Sequence, residues 1–171
     1  MNVFCHPKTL RDSRVWALLG EEAGGEPQFG FKGRVPLVGE RADRTEIDMR
    51  LGKLLVEAKL TENDFQRRSC EVLSTYRDFG EVFDRRSLPR QGDSYFGYQL
   101  IRNVLAASAL DCSFCVLLDA RRADLTEQWY AVMRCIRSAE LRTRMKVLTW
   151  QELAAVLPRE LREFLHVKYG I

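Results

Sequence analysis

The chain has 171 residues, the length of a single domain with room for a substantial core. Hydrophobic residues at 46% and charged residues at 30% are the proportions of a globular protein in water. No run approaches the ~20 apolar residues of a membrane-spanning helix. A net charge of +3 is too mild to announce a nucleic-acid partner by itself.

Residues 1–12 are expected to form a loose lead-in. Met1 to Leu10 lacks the apolar core of a secretory signal, so a cytoplasmic protein without a membrane partner is the default expectation. A short helix is predicted from Arg14 to Glu22, with Val15, Trp16, Leu18 and Leu19 apolar and Gly20 breaking it. Phe29 to Val38 is the first predicted strand, interrupted by Gly33 and Pro36.

The next sixteen residues, Thr45 to Leu60, carry most of the information. Ile47, Met49 and Leu51 alternate with Glu46, Asp48 and Arg50. After Gly52-Lys53, Leu54, Val56 and Ala58 alternate with Leu55, Glu57 and Lys59. A period of two on both sides of a two-residue turn led by Gly predicts a β-hairpin. If Leu51 faces Leu54, then Met49 faces Val56, Ile47 faces Ala58, Asp48 faces Glu57 and Glu46 faces Lys59. Like charges facing each other on a sheet are destabilising. They are relieved by a proton or by a cation, and hard oxygen ligands suit Mg²⁺ or Mn²⁺. The plain alternative is a solvated, charged hairpin face.

Thr61-Glu62-Asn63-Asp64 has the form of a helix N-cap, predicting a helix from Glu62 to about Tyr76. Asp84 to Gly97 contains Pro89, Gly92 and Gly97 and reads as a loop, placed where it could meet a substrate. Tyr98 to Leu110 is predicted helical, with Leu100, Ile101, Val104 and Leu105 inward. Phe114 to Asp119 is a continuous apolar strand, expected to run parallel to the Glu57 strand and to be covered on both faces. A long helix is predicted from Leu125 to Leu141, an edge strand from Met145 to Thr149, and helices over Trp150–Val156 and Pro158–His166. The order is helix, three strands, helices, strand, helix.

Asp48, Glu57 and Lys59, as Asp-x8-Glu-x-Lys on adjacent strands, resemble the PD-(D/E)XK nuclease superfamily. Glu57-Ala58-Lys59-Leu60-Thr61-Glu62, Tyr98-Gln99-Leu100-Ile101-Arg102-Asn103 and Lys168-Tyr169-Gly170-Ile171 are similar to a bacterial branch of restriction-type endonucleases. Ile47 replaces the usual Pro before the aspartate. The resemblance implies an α/β fold with a restriction-endonuclease-like αβββαβ core, a mixed central sheet flanked by helices, over one domain spanning 1–171. It further implies a Mg²⁺- or Mn²⁺-dependent endonuclease acting on DNA. Asp48, Glu57 and the Ala58 backbone carbonyl would hold the metal, and Lys59 would orient water. Gln99, in the helix after the hairpin, is a candidate for the site; its alternative is ordinary helix surface. Many members add a glutamate from the first helix, for which Glu21 and Glu22 are the candidates. Many such folds cut both strands as dimers, which leaves open a homodimer, although no dimer surface is legible. The alternative function is a catalytically inactive nucleic-acid-binding module of the same fold, and a third is an RNA-directed nuclease.

The segment from Arg121 to Lys146 holds seven basic residues against three acidic ones, which suits either a phosphate-contacting surface or a solvated helix face. Five cysteines, an odd count, argue against a disulfide framework. Cys112-Ser113-Phe114-Cys115 enters a strand, where residues three apart point to opposite faces, so a metal or redox role is disfavoured.

Overall fold

A computed structural model describes residues 2–171. Before the hairpin lie α1 (Asn2–Cys5), α2 (Ser13–Leu19) and β1 (Pro27–Pro36), and the hairpin itself is β2 (Ala42–Leu51) and β3 (Leu54–Ala58). A small insert follows: β4 (Arg67–Ser69), α3 (Cys70–Ser74), α4 (Phe79–Val82), β5 (Arg90–Gln91) and β6 (Ser94–Phe96). Then come α5 (Tyr98–Ala109), β7 (Ser113–Leu118), α6 (Ala123–Met133), α7 (Ala139–Thr143), β8 (Met145–Thr149), α8 (Trp150–Val156) and α9 (Arg159–Tyr169).

The main sheet has the order β1-β2-β3-β7-β8. Its first two junctions are antiparallel and its last two parallel. This is the mixed, helix-flanked α/β sheet that the αβββαβ order implies. The crossover from β3 to β7 runs through the insert and α5, as a parallel pair demands.

β3 and β7 are buried on both faces. Leu55, Phe114, Val116 and Leu118 pack with Val104 and Leu105 of α5 and Trp129 of α6. Leu54, Val56, Cys115 and Leu117 pack with Val15, Trp16 and Leu19 of α2 and with Trp150 and Leu153 of α8. Each fully buried side chain of this kind stabilises by about 1.5–3 kcal/mol. The hairpin divides between these two cores. Met49 and Leu51 belong to the α2/α8 side, whereas Ile47 belongs to the α5 side. On a straight strand all three would share a face. The change of side falls at Asp48, opposite Gly30, whose φ of +60° is open to glycine at little cost.

Several sequence expectations are corrected. Residues 2–12 are not a loose lead-in: Val3 and Phe4 are buried, and the buried Thr9 hydroxyl donates to the Val3 carbonyl at 2.7 Å; Met1 lies outside the described residues. No helix starts at Glu62. The Glu62 carboxylate bonds backward to the N–H groups of Leu60 and Thr61, and Asp64 accepts from the Gln66 N–H at 2.8 Å, so the chain turns. The short strand β4 and the five-residue α3 follow. The segment 84–97 is not wholly loop, since β5 and β6 pair and β6 also pairs with β4. The predicted helix 125–141 breaks into α6 and α7. Ile136 forms a bridge to Phe83 between them, and Ser138 restarts the helix by accepting the Leu141 N–H. Pro158 caps α9 rather than lying inside it, and α9 continues to Tyr169.

All five cysteines are free. Cys112 and Cys115 belong to different cores, and burial pushes the Cys115 thiol up to about 12, leaving it inert. Among the described residues no helix is long and apolar enough to cross a membrane.

Candidate active site

The turn sets the hairpin register at Leu51/Leu54, Arg50/Leu55 and Met49/Val56, and there the pairing stops. Asp48 and Glu57 are not ladder partners. β3 parts from β2 and stays with β7, where Glu57 pairs with Val116 and Ala58 with Leu117. Asp48 bridges the opening with its side chain: its Oδ2 accepts the Ala58 N–H at 2.8 Å, replacing the missing backbone carbonyl.

The strand end beyond the opening is held from two sides. The Lys59 N–H donates to the Leu117 carbonyl at 2.8 Å, and the Lys59 carbonyl accepts the Trp150 indole N–H at 3.2 Å. The side chains of Glu57 and Lys59 face α5. Lys59 Nζ is 2.9 Å from Glu57 Oε1, and Asn103 Nδ2 donates to Glu57 Oε2 at 2.8 Å. Both members of the pair are buried, and the Phe65 ring lies 5.7 Å from the ammonium. Burial, and then the negative charge of Asp48, push the Glu57 carboxyl above its ordinary range; Lys59 and Asn103 oppose that rise.

These groups open onto a groove of about 600 Å³, walled by Glu46, Asp48, Glu57 and Lys59, by Gln99 and Arg102 of α5, and by the 62–66 loop. The loop is clamped: Arg122 donates to the carbonyls of Glu62 (2.9 Å) and Asn63 (2.7 Å), and Phe65 is fully buried. The structure thus brings Asp48, Glu57, Lys59 and Gln99 together. The Gln99 Oε1 is buried at the groove without a partner among the described residues.

Other candidates fall elsewhere. Glu21 is bound by Lys146 at 3.1 Å, and Lys146 also takes the Leu19 and Gly20 carbonyls that end α2. Lys146 pairs in register with Cys115, which faces the α2/α8 core, so Glu21 lies across the sheet from Glu57. Glu22 is exposed and lines no part of the groove. Glu46 pairs with Lys32 rather than Lys59. Of the seven basic residues between Arg121 and Lys146, five pair with carboxylates: Arg121, Arg122, Arg137, Arg144 and Lys146. That segment is a set of structural ion pairs more than a free phosphate surface.

Asn103 is the residue that sequence reasoning missed. It is fully buried on the apolar side of α5, one turn after Gln99. A polar residue at a core position of a helix was the available signal, since such a group must find a partner.

The donors suit a hard cation. Lys59 and its alternate neighbours bond toward β7, so Ala58 turns both its N–H and its C=O toward the side that β2 has vacated. Asp48 has one oxygen outside its bond to Ala58, and the Ala58 carbonyl shares that opening. Among the described residues no three Asp, Glu, His or Cys side chains converge as a ligand cluster. A cation here would rest on two carboxylates, one backbone carbonyl and water, a hard-oxygen set of the kind Mg²⁺ accepts.

No curated protein and no solved structure matches the chain. A family model does, over residues 1–170, and the chain therefore belongs to the restriction endonuclease family described as associating with ARP.

Proposed function

We propose that the protein is a Mg²⁺- or Mn²⁺-dependent endonuclease that hydrolyses phosphodiester bonds of DNA. One observation carries this reading: Asp48, Glu57 and Lys59 gather where β3 parts from β2, at the wall of an open groove. Asp48, Glu57 and the Ala58 carbonyl would hold the ion, whose charge makes bound water more acidic and polarises a phosphoryl oxygen. Lys59 sits at the groove with its ammonium fixed, placed to orient water and to offset charge that develops on phosphate oxygens. Gln99 offers a buried amide oxygen, without a partner among the described residues, that a water proton can satisfy. Membership of a family described as associating with ARP extends to this chain a partner of that name.

A second reading, a nucleic-acid-binding module without turnover, is favoured by one observation. Both oxygens of Glu57 are already engaged, by Lys59 and Asn103. Supercoiled plasmid separates the two. Wild-type protein with Mg²⁺ or Mn²⁺ should convert it to open-circular and linear forms, with no conversion in chelator or with Asp48→Asn. Folded wild-type protein that retards DNA and cuts none with either metal would establish the binding module instead.

A further inference from the structure

Beside the insert lies a second concave surface, walled by Arg77, Arg85, Arg86 and Arg137 around a volume of about 670 Å³. None of these residues lines the groove at Asp48. Two of the four are committed. Arg77 grips Asp78 through hydrogen bonds of 2.7 and 3.0 Å. Arg137 donates its Nε–H to the Phe83 carbonyl at 3.1 Å and has Asp84 at 3.9 Å. Arg85 and Arg86 differ from them in forming no salt bridge among the described residues. Asp84 shares the wall but serves the backbone turn: its Oδ2 accepts the Ser87 hydroxyl at 2.7 Å and its Oδ1 the Arg86 backbone N–H at 3.2 Å. Glu81, the other acid of the wall, forms no salt bridge among the described residues either.

Arg85 is held in place without a carboxylate. Its guanidinium carbon lies 5.2 Å from the centroid of the buried Phe79 ring, and its carbonyl accepts the Tyr95 hydroxyl at 3.4 Å. The guanidinium rests on Gly80: a methyl there would overlap Nη2 and come within 2.8 Å of Nε and Cζ. Gly80 lies in α4 and has no left-handed φ, so nothing in the backbone requires glycine, which weakens a helix relative to alanine. What requires it is the flat seat under Arg85.

We infer that Arg85 and Arg86, over Gly80, form a binding seat for a phosphate group. The donors set the ligand class. Each guanidinium is a planar fork of N–H groups matched to carboxylate or phosphate oxygens. A carboxylate has two oxygens and fills one fork, whereas a phosphate presents enough oxygens for two. Two guanidinium groups stand here against one carboxylate, Glu81, which leaves a positive charge for the ligand to neutralise. The cavity also has room for what the phosphate is attached to, since small-molecule sites span roughly 300–1,000 Å³. The inference does not rest on the nuclease reading, because it uses none of that site's residues.

The probe is inorganic phosphate, with acetate as the comparison anion. Binding to wild type, R85Q/R86Q, G80A and E81Q is followed by ³¹P line broadening and by melting temperature, in chelator at fixed ionic strength. Wild type should bind phosphate more tightly than acetate. R85Q/R86Q should bind it about tenfold or more weakly, because charge-assisted hydrogen bonds are lost. G80A should weaken binding as well, by pushing the Arg85 guanidinium off its seat, while its melting temperature without phosphate stays the same or rises. E81Q should bind more tightly, because a like charge has left the wall. Phosphate affinity unchanged in R85Q/R86Q or in G80A would overturn the seat. So would acetate bound as tightly as phosphate, which would assign the surface to carboxylates. Once phosphate binds as expected, anisotropy of a labelled 30-base-pair duplex identifies its source. Weaker duplex binding by R85Q/R86Q than by wild type assigns the phosphate to a nucleic-acid strand, and equal binding assigns it to a free phosphate ester.

Discussion

Replacing Lys59 by Met keeps most of the side chain's length and removes its charge from a site where both partners are nearly inaccessible. Glu57 would then be a buried carboxylate with only the Asn103 amide as donor and with Asp48 close by. Breaking a buried pair from one side costs about 3–5 kcal/mol. For a chain of this size that is a fall in melting temperature of roughly 6–20 °C. The loss must depend on pH. Glu57's folded-state proton affinity is already raised, by burial first and by Asp48 second, and Lys59 acts against that rise. Without Lys59 the folded pKa climbs further, while the unfolded chain still titrates near 4.5. Stability from protonated Glu57 is full below that value and is lost as pH rises through the folded pKa. The variant should therefore be most impaired at pH 8 and approach wild type near pH 5. Adding Glu57→Gln should recover much of the loss at pH 8, since no buried charge remains. Urea unfolding of wild type, both single variants and the double variant at the two pH values measures this. A Lys59→Met protein within 1 kcal/mol of wild type at pH 8, or equally impaired at both pH values, would refute a buried, mutually dependent pair. The result also decides which inactive control is sound, because an unstable Lys59 variant says nothing about chemistry.

Three other perturbations have definite outcomes. Asp48→Ala should cost about 1–3 kcal/mol in urea unfolding, since the Ala58 N–H loses its acceptor, whereas Asp48→Asn keeps an acceptor and should cost less than about 1 kcal/mol; neither should nick plasmid. Asn103→Leu removes a donor that holds Glu57's proton affinity down, so the acid limb of the cleavage–pH profile should move to higher pH. Its stability should change by less than about 1 kcal/mol, because the Asn103 Oδ1, which has no partner among the described residues, goes too. Gly97→Ala places a methyl at φ +71° and 3.1 Å from Val132 Cγ2, at the start of α5. It should cost about 1–2 kcal/mol by denaturant unfolding, and an unchanged midpoint would contradict the left-handed conformation there.

Most elements of the main sheet are legible because their signals are local. Alternation with a Gly-led turn specifies β2 and β3, a long apolar side specifies α5, and an unbroken apolar run specifies β7. Asp48, Glu57 and Lys59 are placed near one another by spacing on regular elements, whereas Gln99 enters only through the resemblance to the nuclease superfamily. What escapes sequence reading is whatever depends on partners far along the chain. Thr61-Glu62 looks like a cap, but Glu62 bonds backward and Arg122, sixty residues on, holds the turn. The helix pattern through residue 136 is sound, but a bridge to Phe83 interrupts it. β4, β5 and β6 span three, two and three residues, too few for a period to show. Register arithmetic predicts Asp48 opposite Glu57; the splayed strands instead make Asp48 a surrogate for backbone, and nothing in the alternation signals that.

The division of the hairpin at Asp48 has a consequence for how the groove responds to stress. Residues on either side of that point are anchored in separate hydrophobic masses, and the strand carrying Glu57 is sandwiched between them. The placement of Asp48 beside Ala58 and Glu57 is thus a property of two packed halves in alignment. Erosion of either half, even by a substitution tens of residues away, would misalign the same few oxygens, so in this chain a loss of rigidity at a distance is also a change in the geometry at Asp48 and Glu57.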